Sequence, residues 1–243
     1  MDSKRKLLER VRKLHTYYHE GKIPTLAQHE VNPNHPIDSR ENYLYFTLPV
    51  SLNFQRSSPA MWASALATYE DADTRYLFYP EKVVKRNRLE IQKDITKHKL
   101  ALQPNKHTDI WRAISQTLHD HYDDDPRKVM KEGEYDAGKI IGTIQGEKKK
   151  LFPYLSGAKM ANYWLYILSH YTDLKLINRE AISIIPDTHV LQCSVVLGLT
   201  EKNHSPVQVA EVWKDLLLGS ELAPMDMHAV LWNWSRNNFL PEV

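Results

Sequence analysis

The chain has 243 residues and a single cysteine, Cys193. One thiol allows no internal disulfide and no thiolate metal cluster, a usage that fits a reducing interior. No stretch reaches the roughly 18 apolar residues that a membrane span needs. The opening MDSKRKLLERVRKLH is charged and lacks the apolar region of a secretory leader. Nucleotide-cradling glycine loops are missing as well, since GTIQGEKKK has no GK[ST] element. The twelve histidines are scattered, and HDH at His119–His121 sets its two imidazoles on different helix faces, so no zinc constellation forms. A Cys/His nucleophile pair would have to use Cys193, which lies in an apolar run and reads as a buried, inert thiol. The expectation is a soluble, cytoplasmic monomer with no membrane partner, no metal and no cofactor.

Hydrophobic residues make up 42% of the chain and aromatic ones 10%, enough for a substantial core. Helical signals dominate. Asp2 or Ser3 can cap a first helix in which Leu7, Leu8, Val11, Leu14 and Tyr18 recur at helical spacing before Gly21. SRENYLYFTLPVSLNF reads as a second helix broken at Pro49, and SPAMWASALATYED as a third. EYDAGKIIGTIQGEKKKLF is interrupted by three glycines, whereas GAKMANYWLYILSHY is a strong apolar helix over 157–171. DTHVLQCSVVLGL, SPVQVAEVWKDLL and MDMHAVLWNWSRNNF supply the last three. The pattern predicts an all-α protein of about ten helices, with two lobes whose chain segments interleave. No linker divides it, so residues 1–243 read as a single domain.

The net charge is only +2, but its distribution is uneven. Between Glu81 and Lys106 eight Lys/Arg face three acids, EKKK runs from Glu147 to Lys150, and DDD at Asp123–Asp125 lies elsewhere. Such polarity suits a polyanion on one face, and equally the solvated faces of ordinary helices. Two short elements carry more chemistry. LFPYLSGAKMANYWLYIL delivers the chain through Pro153, Ser156 and Gly157 into a helix with Lys159 in its first turn. Backbone N–H groups there can hold a phosphate, and the field of the helix start disfavours an ammonium; if Lys159 is also partly desolvated, its free amine becomes a usable nucleophile. A lone lysine at such a position is more often simply solvated. In IIPDTHVLQCSVVLGL, Asp187 is a good N-cap, and a capping carboxylate is also rigidly held where it could stabilise a developing cation.

GAKMAN followed by IPDTHV resembles the helix-hairpin-helix (HhH-GPD) DNA glycosylases, whose hairpin ends in a G-x-K-x-A-N-like segment and is followed by a V-D-T-H-V-like one. Lys159 falls on the lysine of the bifunctional members and Asp187 on the catalytic aspartate. DMHAVLWNWSR resembles the family's late D-x-H-x-x-L helix, here Asp226, His228, Leu231 and Arg236. LYFTLPVSLNFQRSS more loosely resembles the early helix that ends in a glutamine wedged into the duplex, here Gln55. The convincing part runs from Leu151 to Phe239, a little over a third of the chain. Residues 1–80 are the divergent helical part, and 81–239 carry the hairpin and catalytic helices. There are departures. The hairpin's first glycine is replaced by Tyr154 or Leu155, and Gln192 stands where an arginine often follows the aspartate. The chain's last segment, RNNFLPEV, lacks the cysteines of the iron–sulfur cluster that many relatives carry. Twenty-eight residues separate Lys159 from Asp187, a long spacing that resembles the archaeal 8-oxoguanine glycosylases.

The resemblance implies a two-lobed helical fold without an iron–sulfur cluster and a nucleoid-associated enzyme acting on double-stranded DNA. A damaged or modified base would be flipped out, its N-glycosidic bond broken by Lys159 and Asp187, and the strand cleaved by an associated AP-lyase step. Oxidised guanine is the first substrate implied. Gly157, Ser156, Lys148, Lys149, Lys150, Gln55 and His189 would contact DNA. Trp62, Trp164, Asp226 and Trp232 would line the base pocket, with Tyr163 and Trp234 also available, although large aromatics more often serve packing. Other readings are a glycosylase that excises a modified base from foreign phage DNA, a non-catalytic helical DNA-binding or adaptor protein, and a helical interaction protein unrelated to DNA.

Overall fold

A computed structural model of the chain describes residues 2–25, 30–53 and 56–243. Gln55 therefore lies outside the described residues. Among these there are twelve α-helices and no strand, only an isolated parallel bridge between Asp136 and Ile177. In chain order the helices are α1 (Asp2–His19), α2 (Arg40–Tyr45), α3 (Ser58–Glu70), α4 (Pro80–Val83), α5 (Arg88–Lys97) and α6 (Pro104–Tyr122). Then come α7 (Arg127–Glu132), α8 (Ala137–Gln145), α9 (Ala158–Tyr171), α10 (Thr188–Val196), α11 (Pro206–Leu217) and α12 (Met227–Arg236). The fold is all-α, and it divides into two compact units whose segments interleave along the chain. One unit takes Met1–Ala27 and Arg179–Val243, the other Gln28–Asn178.

The first unit is built from α1, α10, α11 and α12. Val11 and Leu14, three apart on α1, are buried with Val190, Cys193, Trp213, Leu231 and Trp234 in one core cluster. Burying such side chains stabilises by about 1.5–3 kcal/mol each. α1 stops where Gly21 turns left-handed at φ +72°, a conformation glycine adopts without a Cβ clash. α11 begins with a reciprocal capping box between Ser205 and Gln208 after which Pro206 takes the first helical position.

The second unit holds the other eight helices around an aromatic core. Trp62, Trp111, Trp164, Tyr45, Phe46 and Phe78 are all buried. The expected second helix is split: α2 ends at Tyr45, and Pro49–Leu52 forms a separate 3-10 turn, because proline has no N–H to continue the α ladder. The glycine-bearing segment after Asp136 is more regular than its composition suggests. Gly138 and Gly142 sit inside α8, which is held by buried Ile140 and Ile144 at i and i+4, and Gly146 ends it. The residues 146–157 then make the hairpin that leads into α9.

Candidate functional site

Phe152 and Leu155 are fully buried and anchor the hairpin, and Thr117 on α6 donates to the Leu151 carbonyl at 2.7 Å. The backbone closes on itself: Ser156 N donates to Phe152 O at 2.9 Å and Gly157 N to Tyr154 O at 2.9 Å. Tyr154 has φ +67°, so it, and not Leu155, occupies the left-handed position where a glycine is least strained. Its hydroxyl receives a hydrogen bond from Lys106 at 2.8 Å. α9 starts at the N-cap Gly157 with no side-chain cap, which leaves its first N–H groups for solvent or an anion. Lys159 lies in that first turn and is exposed.

The hairpin's cations are not equivalent. Lys149 and Lys150 are exposed and form no ion pair with any described residue. Lys148 is instead turned back, paired to Glu132 and donating to the Tyr122 hydroxyl at 2.9 Å. The Ser156 side chain is buried and donates to the Lys149 carbonyl at 3.3 Å, so its hydroxyl serves the loop itself.

Asp187 is the N-cap of α10. Its Oδ1 accepts from Val190 N at 3.0 Å, fixing a half-buried carboxylate at the helix start. Two residues on, His189 Nδ1 lies 3.0 Å from Ser235 Oγ, and that hydroxyl donates to Gln192 Oε1 at 3.3 Å. The His189 ring packs edge-on to Trp232, and the Arg236 guanidinium lies over the Trp232 ring, 4.6 Å from its centroid. Gln192 is thus tied into α12. Cys193 is buried, its thiol pushed up to about 12 by burial, with the Asp187 charge adding to the shift.

The aromatic candidates separate by burial. Trp62 and Trp164 are fully buried, and their ring nitrogens donate to Tyr163 OH at 3.1 Å and Thr47 Oγ1 at 3.0 Å. They pack as core and present no ring face to a base. Trp234 is likewise buried, donating to Pro241 O at 3.0 Å, while Trp232 is half-buried. Asp226 is occupied on both oxygens: Arg179 pairs with Oδ1, and Ala223 N donates to Oδ2 at 2.9 Å. Lys159 belongs to the second unit and Asp187 to the first.

One cluster had no signal in the sequence. Glu30, in the connector before α2, accepts from Tyr171 OH at 2.8 Å and from Tyr163, both on α9. Burial pushes both phenols above their ordinary range, and the Glu30 carboxylate adds to the shift, so both remain protonated donors. Tyr163 OH also pairs with Ser58 Oγ at 2.8 Å. Nothing short of the fold brings residues 30 and 171 together.

Among the described residues no group of three or more His, Cys, Asp or Glu is placed to hold a metal ion. No helix among them is long and apolar enough to cross a membrane. No family model matches the chain, and no curated protein does. Among solved structures, it is similar to that of a trapped endonuclease III–DNA covalent intermediate in an estranged-adenine complex. The TM-score is 0.58 at 15% identity, with 96% of this chain and 86% of that chain covered. The chain therefore has the helical fold of that endonuclease III structure.

Proposed function

We propose that the chain is a helix-hairpin-helix DNA glycosylase that flips a damaged or modified base out of duplex DNA and breaks its N-glycosidic bond. The observation that supports this reading is the fold shared with an endonuclease III structure, together with the local setting of two side chains. Lys159 is in the uncapped first turn after a hairpin, and Asp187 is locked as the cap of α10. The similar solved structure is described as a covalent intermediate trapped on DNA, which supports a covalent route.

Bound DNA supplies what the free chain lacks. It covers exposed Lys159, and the exposed Lys149 and Lys150 with the N–H groups of α9 hold phosphates. The Lys159 ammonium gives up its proton to solvent, and the resulting amine attacks C1′. The glycosidic bond breaks, its electron pair leaving with the base, while the Asp187 charge stabilises the oxocarbenium-like transition state. Ring opening gives an imine, and removal of a 2′ proton expels the 3′ phosphate. Extrusion costs a few kcal/mol of stacking and pairing, least for a damaged base. Oxidised guanine is the first substrate to test, on the Lys159-to-Asp187 spacing.

Borohydride added to the protein on a duplex bearing 8-oxoguanine or an abasic site should trap a covalent adduct, and Lys159→Gln should trap none. Adduct formation by that variant would remove Lys159 from the mechanism. The exposure of Lys159 favours one second reading, a non-catalytic DNA-binding protein, in which the wild type binds duplex but neither excises nor traps.

A further inference from the structure

We infer that Glu30 reads the N–H edge of the extruded base, and that the base is derived from guanine; this rests on the glycosylase reading above. Tyr163 lies four residues beyond Lys159, on the same face of α9 and one turn on. Its hydroxyl is the hub of a network that holds Glu30, Ser58 and Trp62. Tyr171, at the last turn of α9, grips Glu30 Oε2 at 2.8 Å. The carboxylate is thus fixed in position, beside the turn that follows the proposed nucleophile.

Its chemistry defines the ligand. An ionised carboxylate accepts at about four lone-pair positions and donates at none, and the two phenols use two of them. Glu30 is half-buried, and the two phenols leave about two of its acceptor positions unused. The phenols stay protonated and donate, so they do not compete as acceptors for the same hydrogens. What fits is a base with two adjacent N–H donors. Guanine and its oxidised forms present N1–H beside the 2-amino group. A cytosine-type edge puts the N3 lone pair next to its amino group, and an adenine edge does the same with N1, each opposing a carboxylate oxygen. A site built to bond such donors rejects bases without them far more strongly than a greasy pocket could.

The test measures excision and abasic-site trapping in the same full-length protein. Glu30→Gln replaces one acceptor by a donor with almost no change of shape. On an 8-oxoguanine duplex it should lower single-turnover excision about 100-fold more than it lowers borohydride trapping on an abasic-site duplex, which has no base to read. Tyr171→Phe, which removes one grip on Glu30 and keeps the ring, should shift the same ratio in the same direction by a smaller factor. Equal loss of excision and trapping in Glu30→Gln, or excision unchanged in it, overturns the role of Glu30. So does a wild type that traps on abasic DNA but excises only bases lacking the paired N–H edge. A wild type that fails to trap on abasic DNA overturns the glycosylase reading itself, and this inference with it.

Discussion

Replacing Asp187 separates its two proposed roles. As a cap it gives Val190 N a partner at 3.0 Å. Asp187→Ala removes that bond at a cost of about 1 kcal/mol. It also removes a negative charge from the positive end of α10, worth about 0.5 kcal/mol. Together these amount to about 1.5 kcal/mol, which for a chain of this length lowers Tm by about 3–6 °C. Asp187→Asn keeps the cap, since asparagine caps as well as aspartate, and loses only the charge, so Tm should fall by about 1–2 °C. Excision should respond differently. Both variants lack the fixed charge at the transition state, and both should lose about 100- to 1,000-fold in rate. Calorimetry and single-turnover excision on one set of proteins provide both readings, with filter binding to confirm that the duplex is still bound. Wild-type excision by Asp187→Asn would refute the reasoning, because Asp187 would then be a cap and nothing more. An unchanged Tm for Asp187→Ala would refute the capping half.

Two further predictions concern the first unit. Arg12 donates twice to Glu221 at 2.7 Å, and this pair holds the Glu221 carboxyl down to about 2 from its ordinary 4.5. A depressed carboxyl gives stability that is present above the unfolded value and is lost as pH falls through the folded one, so its contribution should disappear between about pH 4.5 and 2. Denaturant titrations across that window should show a steeper loss for the wild type than for Arg12→Ala; coincident curves would mean that solvent screens this exposed pair completely. Cys193 is buried with its thiol near 12, so a disulfide reagent at pH 8 should label it only after denaturant is added, and rapid labelling of the native protein would contradict its place in the core.

Much of the helical framework was legible in the sequence. GAKMANYWLYILSHY is α9 to within a residue, because its apolar side chains recur at helical spacing and Gly157 takes the N-cap. Asp187 caps α10 as its position before an apolar run implied. The short α4 and α7 were not legible: four and six residues are too few for a periodic signal, and packing on neighbours holds them. Gly138 and Gly142 blurred the helical signal of a segment that tertiary burial of Ile140 and Ile144 sustains as α8. The hairpin's left-handed residue was narrowed to two candidates, and only the backbone dihedral singled out Tyr154.

Caps, helix faces and the chemical types at Lys159 and Asp187 were determined by the sequence itself, since helix signals act through neighbours within about four residues. Tertiary structure alone decided which side chains those signals leave free. Lys148 is spent on Glu132, Asp226 on Arg179, and Trp62 and Trp164 on the core. It also brought Glu30 against Tyr171, 141 residues away, and joined α1 to the last helices of the chain. Contacts over such separations carry no local pattern, because they form only where packing closes the chain on itself.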